Sequence, residues 1–386
     1  VGVRCHLKGK RLVKYRKINT LEVNRDYRNY IKIMEAEEMD VNLLKAVSEA
    51  PGVSGFEYGI PEIIKKELRG FVNEVREDKF GNLYVQKGRG AKTIMIAAHT
   101  DEIGLLVKHV DDKGFIRFAK LGGVPDHILL GQRVWIHGMK KRVRGVIGCK
   151  AIHVMKDEER KQLVTYDKMF IDAGATKDQL ARLGVKVGTP ITIDRSLTEL
   201  ENDVIVGRAM DDRAGCYMLI EALKRAKPTN RVVGVFTVQE EVGLRGATIS
   251  AFAVKPDIGI AIDTTIAGDH PEIAESEAPV KLGKGPTILV ADGRRDSLAG
   301  GTIANPIVRG WMMELAEKAG IPYQLEVLEG GTTDATAMQI AHEGVPSGCI
   351  SIPSRYVHSC SEVVSKKDLQ NGIKFLVKIM ESKPPF

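Results

Sequence analysis

Val232-Val233-Gly234-Val235-Phe236-Thr237-Val238 is an apolar, β-branched run that passes directly into Gln239-Glu240-Glu241-Val242-Gly243. Bounded by Asn230 and Gly243, it reads as a strand buried on both faces, as in the middle of a parallel sheet. Two adjacent carboxylates at its end repel each other and lose hydration unless cations or solvent meet them. Taken alone, such a pair is an ordinary solvated strand end, because acidic side chains are seldom buried without partners.

The same pattern recurs four times. Ile94-Met95-Ile96-Ala97-Ala98 runs into His99-Thr100-Asp101-Glu102. Val204-Ile205-Val206 is followed after four residues by Asp211-Asp212, and Ile258-Gly259-Ile260-Ala261-Ile262 ends at Asp263. Cys349-Ile350-Ser351-Ile352 leads through Pro353-Ser354-Arg355-Tyr356-Val357 to His358. In an open parallel sheet the carboxyl ends of the strands form one rim, and ligands bind there. Five strands would therefore deliver His99, Asp211, Glu240 and Glu241, Asp263 and His358 to a common edge, which makes that edge a candidate metal site.

A chain of 386 residues admits two domains. No apolar run approaches membrane-spanning length, and no signal-peptide pattern opens the chain. Five scattered cysteines without a Cys-x-x-Cys argue against a disulfide framework, so a reducing compartment, the cytoplasm, is expected. The net charge of +7 is misleading as a sign of nucleic-acid binding. Residues 1–33 hold ten Lys and Arg against Glu22 and Asp26, a net of +8, which leaves about −1 for the remainder. Residues 1–38 are expected to be a disordered or mis-started extension. The chain opens with Val, and Met34 or Met39, just before the first convincing helix, is the expected natural start.

Residues 39–104 and 200–386 read as one α/β domain with a mixed, mainly parallel sheet flanked by helices. Helices are expected over Val41–Ala50, Pro61–Leu68, Arg213–Ala226, Asn305–Lys318, Ala335–Glu343 (capped by Asp334) and Ser365–Glu381. In the third of these, Cys216, Leu219, Ile220 and Leu223 form a single apolar stripe. Residues 105–199 read instead as short β runs split by turns, with Leu105–Val110 and Phe115–Phe118 flanking the hairpin signal Asp111-Asp112-Lys113-Gly114, and with Leu163–Tyr166 among the later strands. This block is expected to be an inserted, barrel-like domain carrying dimer contacts.

Carboxylate and imidazole are the ligands zinc takes when thiolates are absent, and cobalt or manganese suit similar sites. Five ligands are too many for one catalytic zinc and fit two ions if one carboxylate bridges; Asp211, at a helix entrance between the outer sets, is the best bridge. Asp101, two residues from His99, is placed to fix its ring. Of the adjacent pair, Glu241 is assigned to the metal and Glu240 to the general base, because neighbouring side chains point in different directions.

Taken jointly, His99-Thr100-Asp101-Glu102-Ile103-Gly104, Gly207-Arg208-Ala209-Met210-Asp211-Asp212-Arg213, Glu240-Glu241-Val242-Gly243, Ile262-Asp263 and Ser354-Arg355-Tyr356-Val357-His358-Ser359 resemble the tetrahedral aminopeptidases of metallopeptidase family 42, the glutamyl, leucyl and lysyl aminopeptidase group. The resemblance spans roughly Leu43 to Ile379. It implies a dinuclear zinc-peptidase fold, hollow dodecamers built from dimers, and short peptides as substrates. It also implies one metal on His99, Asp211 and Asp263 and a second on Asp211, Glu241 and His358, zinc or cobalt in each, with Glu240 as base and Asp101 behind His99. The basic segment before the first helix departs from the family pattern. Gly331, Asp334 and Arg355 are substrate-binding candidates, and the loops Asp269–Lys284 and Glu329–Asp334, with Glu272, Glu275, Lys281 and Lys284, are expected to line the specificity pocket.

A metal-dependent deacylase or carboxypeptidase of related fold could use the same ligands. The endoglucanase label carried by some relatives fits less well: a glycosidase needs two carboxylates across the scissile bond and has no task for His99 or His358. A nucleic-acid binder built on the basic arm would leave the five-strand ligand set unexplained.

Overall fold

The computed structural model describes residues 39–386; the basic segment and the Met34 start lie outside the described residues. Three strands open the chain order, β1 (Glu74–Glu77), β2 (Leu83–Lys87) and β3 (Thr93–His99). Six then form the inserted block: β4 (Gly104–Val110), β5 (Ile116–Leu121), β6 (Arg133–His137), β7 (Arg142–Gly148), β8 (Phe170–Asp172) and β9 (Pro190–Ile193). The chain returns through β10 (Thr198–Leu200), β11 (Val204–Gly207), β12 (Arg231–Thr237), β13 (Ile258–Ile266), β14 (Thr287–Gly293), β15 (Gln324–Glu329), β16 (Ser347–Arg355) and β17 (Glu362–Ser365). Among the described residues no helix is long and apolar enough to cross a membrane.

The main sheet has the order β1-β2-β12-β3-β13-β16-β17-β11-β10, with β14 and β15 branching from β16. Strands β12, β3, β13 and β16 are mutually parallel neighbours. Strand β17 is antiparallel to both β16 and β11, so β11 points the same way as the central four. All five ligand-bearing strands therefore end on one edge. The central runs are buried along almost their whole length because helices cover both faces, which is why they show no alternation in sequence.

The helix Met210–Arg225 lies on one face, against Val41–Glu49 and Lys366–Glu381. It is buried on all sides from Met210 to Leu223, so the single stripe expected from the sequence is only the part facing one layer. Arg245–Val254 and Asp334–Gln339 cover the other face, where Ala251, Val254, Ala335 and Met338 pack on Met95, Val233 and Cys349.

Strands β4 to β9 close a barrel, β4-β5-β8-β7-β6-β9, around its own core of Leu105, Val107, Ile116, Phe118, Ile136 and Ile191. The hairpin at Asp111 forms, with Asp111 Oδ1 accepting the Lys113 and Phe115 N–H groups and Gly114 at φ +94°. The strand expected over Leu163–Tyr166 falls instead at Phe170–Asp172: Leu163 is exposed, and it is Met169 and Ile171 that enter the barrel core.

Candidate metal centre

The five strand ends converge. His99 closes β3, and Asp263 follows Ile262, the register partner of Ala98. Asp211 opens its helix beyond β11, Glu240 and Glu241 occupy the turn after β12, and His358 follows β16. His99, Asp211 and Asp263 each present one ligand atom, all within 4.8 Å of one another, and Asp211, Glu241 and His358 do the same. Asp211 belongs to both groups. Its Oδ1 lies 3.1 Å from His99 Nε2 and its Oδ2 3.5 Å from His358 Nε2, which is 3.4 Å from Glu241 Oε1. Glu240 Oε2 and Asp263 Oδ1 each stand 3.9 Å from His99 Nε2. The Asp211–Asp212 peptide bond is cis.

The electrostatics are those of an anion-rich cluster. Burial opposes the charge on Asp211, but its bonds to His358 and His99 outweigh this and hold the carboxyl well below the usual range. Burial pushes Glu240 well above it; His99 opposes the rise, and Asp334 and Glu241 add to it. Asp263 is pushed up by burial and by repulsion from Asp211. Burial disfavours the His358 imidazolium, yet Asp211 and Glu241 raise it to about 11. Among the described residues no lysine or arginine forms an ion pair with these carboxylates. Four carboxylates and two imidazoles, with only imidazole protons to balance them, are a donor set suited to divalent cations. Cys216 is no competitor, since its thiol donates to the His99 carbonyl at 3.0 Å.

Asp101 meets the Nδ1 side of the His99 ring with both its backbone carbonyl and its carboxylate. The His99 ring is fixed by Nδ1 donating to the Asp101 backbone carbonyl at 3.1 Å, while the nearer carboxylate oxygen stands 3.5 Å away. The carboxylate itself accepts the Glu240 N–H (2.9 Å), the Glu241 N–H (3.1 Å) and the Ser54 hydroxyl (2.7 Å). Sequence reasoning missed Glu362, fully buried at the start of β17, whose carboxylate accepts the N–H groups of Asp211 (3.1 Å) and His358 (2.8 Å). Its one sequence signal was an acid opening an apolar strand four residues after His358. The barrel also borders the site: a Cβ on Gly123 would lie 2.7 Å from His358 Nδ1, and one on Gly122 3.1 Å from Glu241 Oε2.

A cleft of about 580 Å³ opens over these residues. Gly331 lines it, as expected, together with Leu244, Ile266, Ile273, Leu328 and Tyr356. Two other substrate-binding candidates do not. Asp334 is buried below the rim, accepting the Thr237 hydroxyl at 2.6 Å, and the helix cap is Thr333, whose hydroxyl accepts the Ala335 N–H. Arg355 is turned to Asp269, which it grips through Nε at 2.8 Å and Nη2 at 2.7 Å. Glu272, Glu275, Lys281 and Lys284 are likewise absent from the lining, and Lys281 is paired with Glu275 at 2.7 Å.

A mixed α/β sheet with helices on both faces and this rim of carboxylates and imidazoles suits a metal-dependent hydrolase. The profile of the M42 glutamyl aminopeptidase family matches residues 81–375. A putative aminopeptidase of Acetivibrio thermocellus is 43% identical over 89% of this chain and 99% of its own. The structure of an aminopeptidase from the archaeon Desulfurococcus kamchatkensis superposes with a TM-score of 0.85 at 40% identity, covering 89% of this chain and 95% of that one. The TET1 peptidase of Pyrococcus horikoshii, which can assemble into a tetrahedron or a large octahedral shell, gives 0.80 at 33% identity over 89% and 99%. The chain belongs to the M42 aminopeptidase family, whose peptidases are metal-dependent.

Proposed function

We propose that the protein is a dinuclear metal-dependent aminopeptidase that removes single residues from the free amino ends of short peptides. The observation that carries this reading is the sharing of Asp211 by two three-ligand groups. One divalent ion, zinc or cobalt, would be held by His99, Asp211 and Asp263, the other by Asp211, Glu241 and His358. Ions there supply Lewis-acid polarisation of the scissile carbonyl and of water. Glu240, left out of both groups and carrying a carboxyl raised by burial, takes the proton from the attacking water and returns it to the departing amine. His99 is held with Nε2 toward the carboxylates by its Nδ1 bond to the Asp101 carbonyl.

Apart from the ligand set and His270, the lining is apolar, hydroxylic or glycine, which favours an uncharged N-terminal side chain. By analogy with the shells formed by the Pyrococcus horikoshii peptidase, the chain assembles as a homo-oligomer, and exposed Met139 and Val187 on the barrel suit subunit contacts. The test is hydrolysis of aminoacyl-anilides, free and N-acetylated, by chelated protein refilled with Zn²⁺ or Co²⁺, with Glu240→Gln as control. Metal-restored cleavage confined to free amino ends and lost in the variant is the expected result. Activity that survives chelation or the substitution overturns the site assignment.

A further inference from the structure

The turn carrying Glu240 and Glu241 is held by side chains through its backbone. Four consecutive N–H groups, from Val238 to Glu241, are taken up by carbonyl or carboxylate oxygens of Asn82 (3.1 Å), Glu57 (3.1 Å) and Asp101 (2.9 and 3.1 Å). Two of these acceptors lie next to elements of the sheet: Asp101 stands two residues beyond His99 at the end of β3, and Asn82 immediately precedes β2. Glu57 is different. It comes from the loop between the first two helices of the α/β domain, far away in sequence, and belongs to neither ligand group.

Its single oxygen Oε1 accepts two N–H groups, that of Gly55 at 2.8 Å and that of Gln239 at 3.1 Å. Gln239 sits at φ +56°, a left-handed conformation that a residue with a Cβ enters only when its surroundings hold it there. This conformation turns the chain away from the line of β12 and aims the two following carboxylates at the rim. The loop that brings Glu57 is itself fastened to the other side of the site. The Gly52 carbonyl accepts the Glu102 N–H and the Gly52 N–H donates to the Glu102 carboxylate, Val53 pairs with Glu102 as an isolated bridge, and Ser54 donates to Asp101. The Glu57 side chain is buried, so water does not compete for the Gln239 N–H.

We infer that Glu57 is a positioning residue, whose carboxylate oxygen holds Gln239 in its left-handed turn and thereby sets where Glu240 and Glu241 stand. The inference rests on the roles given above to those two glutamates. Glu57 touches neither substrate nor metal and acts only through the Gln239 backbone. What the role requires is an acceptor oxygen at that place and not a negative charge, and this separates it from a general electrostatic effect.

The experiment compares Glu57→Gln, Glu57→Asp and Glu57→Ala with the wild type at saturating Zn²⁺. Rates are taken per folded subunit, and amide hydrogen exchange is followed over residues 236–243. A glutamine keeps an oxygen in the same position and is expected to retain kcat within about threefold. Alanine is expected to lower kcat on the order of tenfold or more, the scale set by sub-ångström misplacement of reacting groups, with KM changed less than about twofold. Exchange in 236–243 should accelerate in Glu57→Ala and remain slow in Glu57→Gln. If alanine fails to fold, aspartate, one methylene shorter, carries the same test, with a fall in kcat and faster exchange. Wild-type kcat and slow exchange in Glu57→Ala or Glu57→Asp overturn the inference, and so does a glutamine variant as impaired as alanine. Failure of the aminopeptidase reading would look different, because the wild type itself would lack metal-restored cleavage at free amino ends.

Discussion

Asp211 Oδ1 lies 3.1 Å from His99 Nε2, and the same carboxylate reaches with its other oxygen toward a second imidazole. One side chain thus joins two otherwise separate sets of donors. Asp211→Asn is expected to weaken both ion sites, whereas Asp263→Asn should weaken only the one on the His99 side. Metal analysis after dialysis checks this: the first variant should hold well under one ion per subunit and the second close to one. Equal stoichiometries would remove Asp211 from its bridging place.

The barrel wall makes a separate prediction. A methyl group on Gly123 has no room beside His358, being 2.7 Å from Nδ1 and 2.9 Å from Cε1. Gly123→Ala should rotate that ring away and weaken the ion shared with Glu241 on the order of tenfold, a loss of about 1.4 kcal/mol. Competition titration with a chelating dye measures it, and an unchanged affinity would mean that the ring accommodates the methyl group.

Specificity follows from the cleft. A charged N-terminal side chain would lose hydration against Ile273 and Leu328, and the lining holds no lysine or arginine and no carboxylate apart from those of the rim. Leucyl and methionyl anilides are expected to exceed glutamyl and lysyl ones at least about tenfold in kcat/KM, the scale of a modest desolvation penalty. Arg295, whose Nε would stand 3.7 Å from a Cβ on Gly330, lies beside that wall but does not line the cleft, so Arg295→Ala should leave the ratio unchanged. A glutamyl preference lost in Arg295→Ala would reverse this conclusion.

Stability should depend on pH through Glu326. This residue is buried with Oε1 2.5 Å from the Thr265 hydroxyl, and burial raises its carboxyl from 4.5 to about 7. The folded state therefore binds the proton more tightly than the unfolded chain. Its favourable contribution is complete below pH 4.5 and is lost as pH rises through 7, on the order of 3 kcal/mol in all. Glu326→Gln, which does not titrate, should be about 1–3 kcal/mol more stable than wild type at pH 8 and nearly equal at pH 5. Urea unfolding at both values decides; equal stability at pH 8 would show that the carboxylate is solvated.

The sheet and its rim were legible because parallel strands advertise themselves as apolar runs, and each run here stops at a ligand. His99, Asp263 and the Glu240–Glu241 pair could be read directly from that punctuation. Glu57 and Glu362 could not. Each is a single carboxylate, indistinguishable in sequence from a solvated one, and its partners are backbone N–H groups up to 182 residues away. Asp334 misled for a related reason: Thr333 and Asp334 are both good caps, and only the buried Thr237 hydroxyl shows which one turned inward. Arg355 closes β16 and is taken up by Asp269, and it is the two residues beyond the strand end, Tyr356 and Val357, that line the cleft.

Gly122 and Gly123 put bare backbone of the barrel against Glu241 and His358. The barrel is thus a mechanical neighbour of the chemistry as well as an appendage to the sheet. Force applied to its outer surface, by a docking subunit or any other body, has a path of two glycines to the reacting centre. A change made on the far side of the barrel can therefore register as a change in turnover, and surface variants chosen to alter assembly should be assayed for rate as a matter of course.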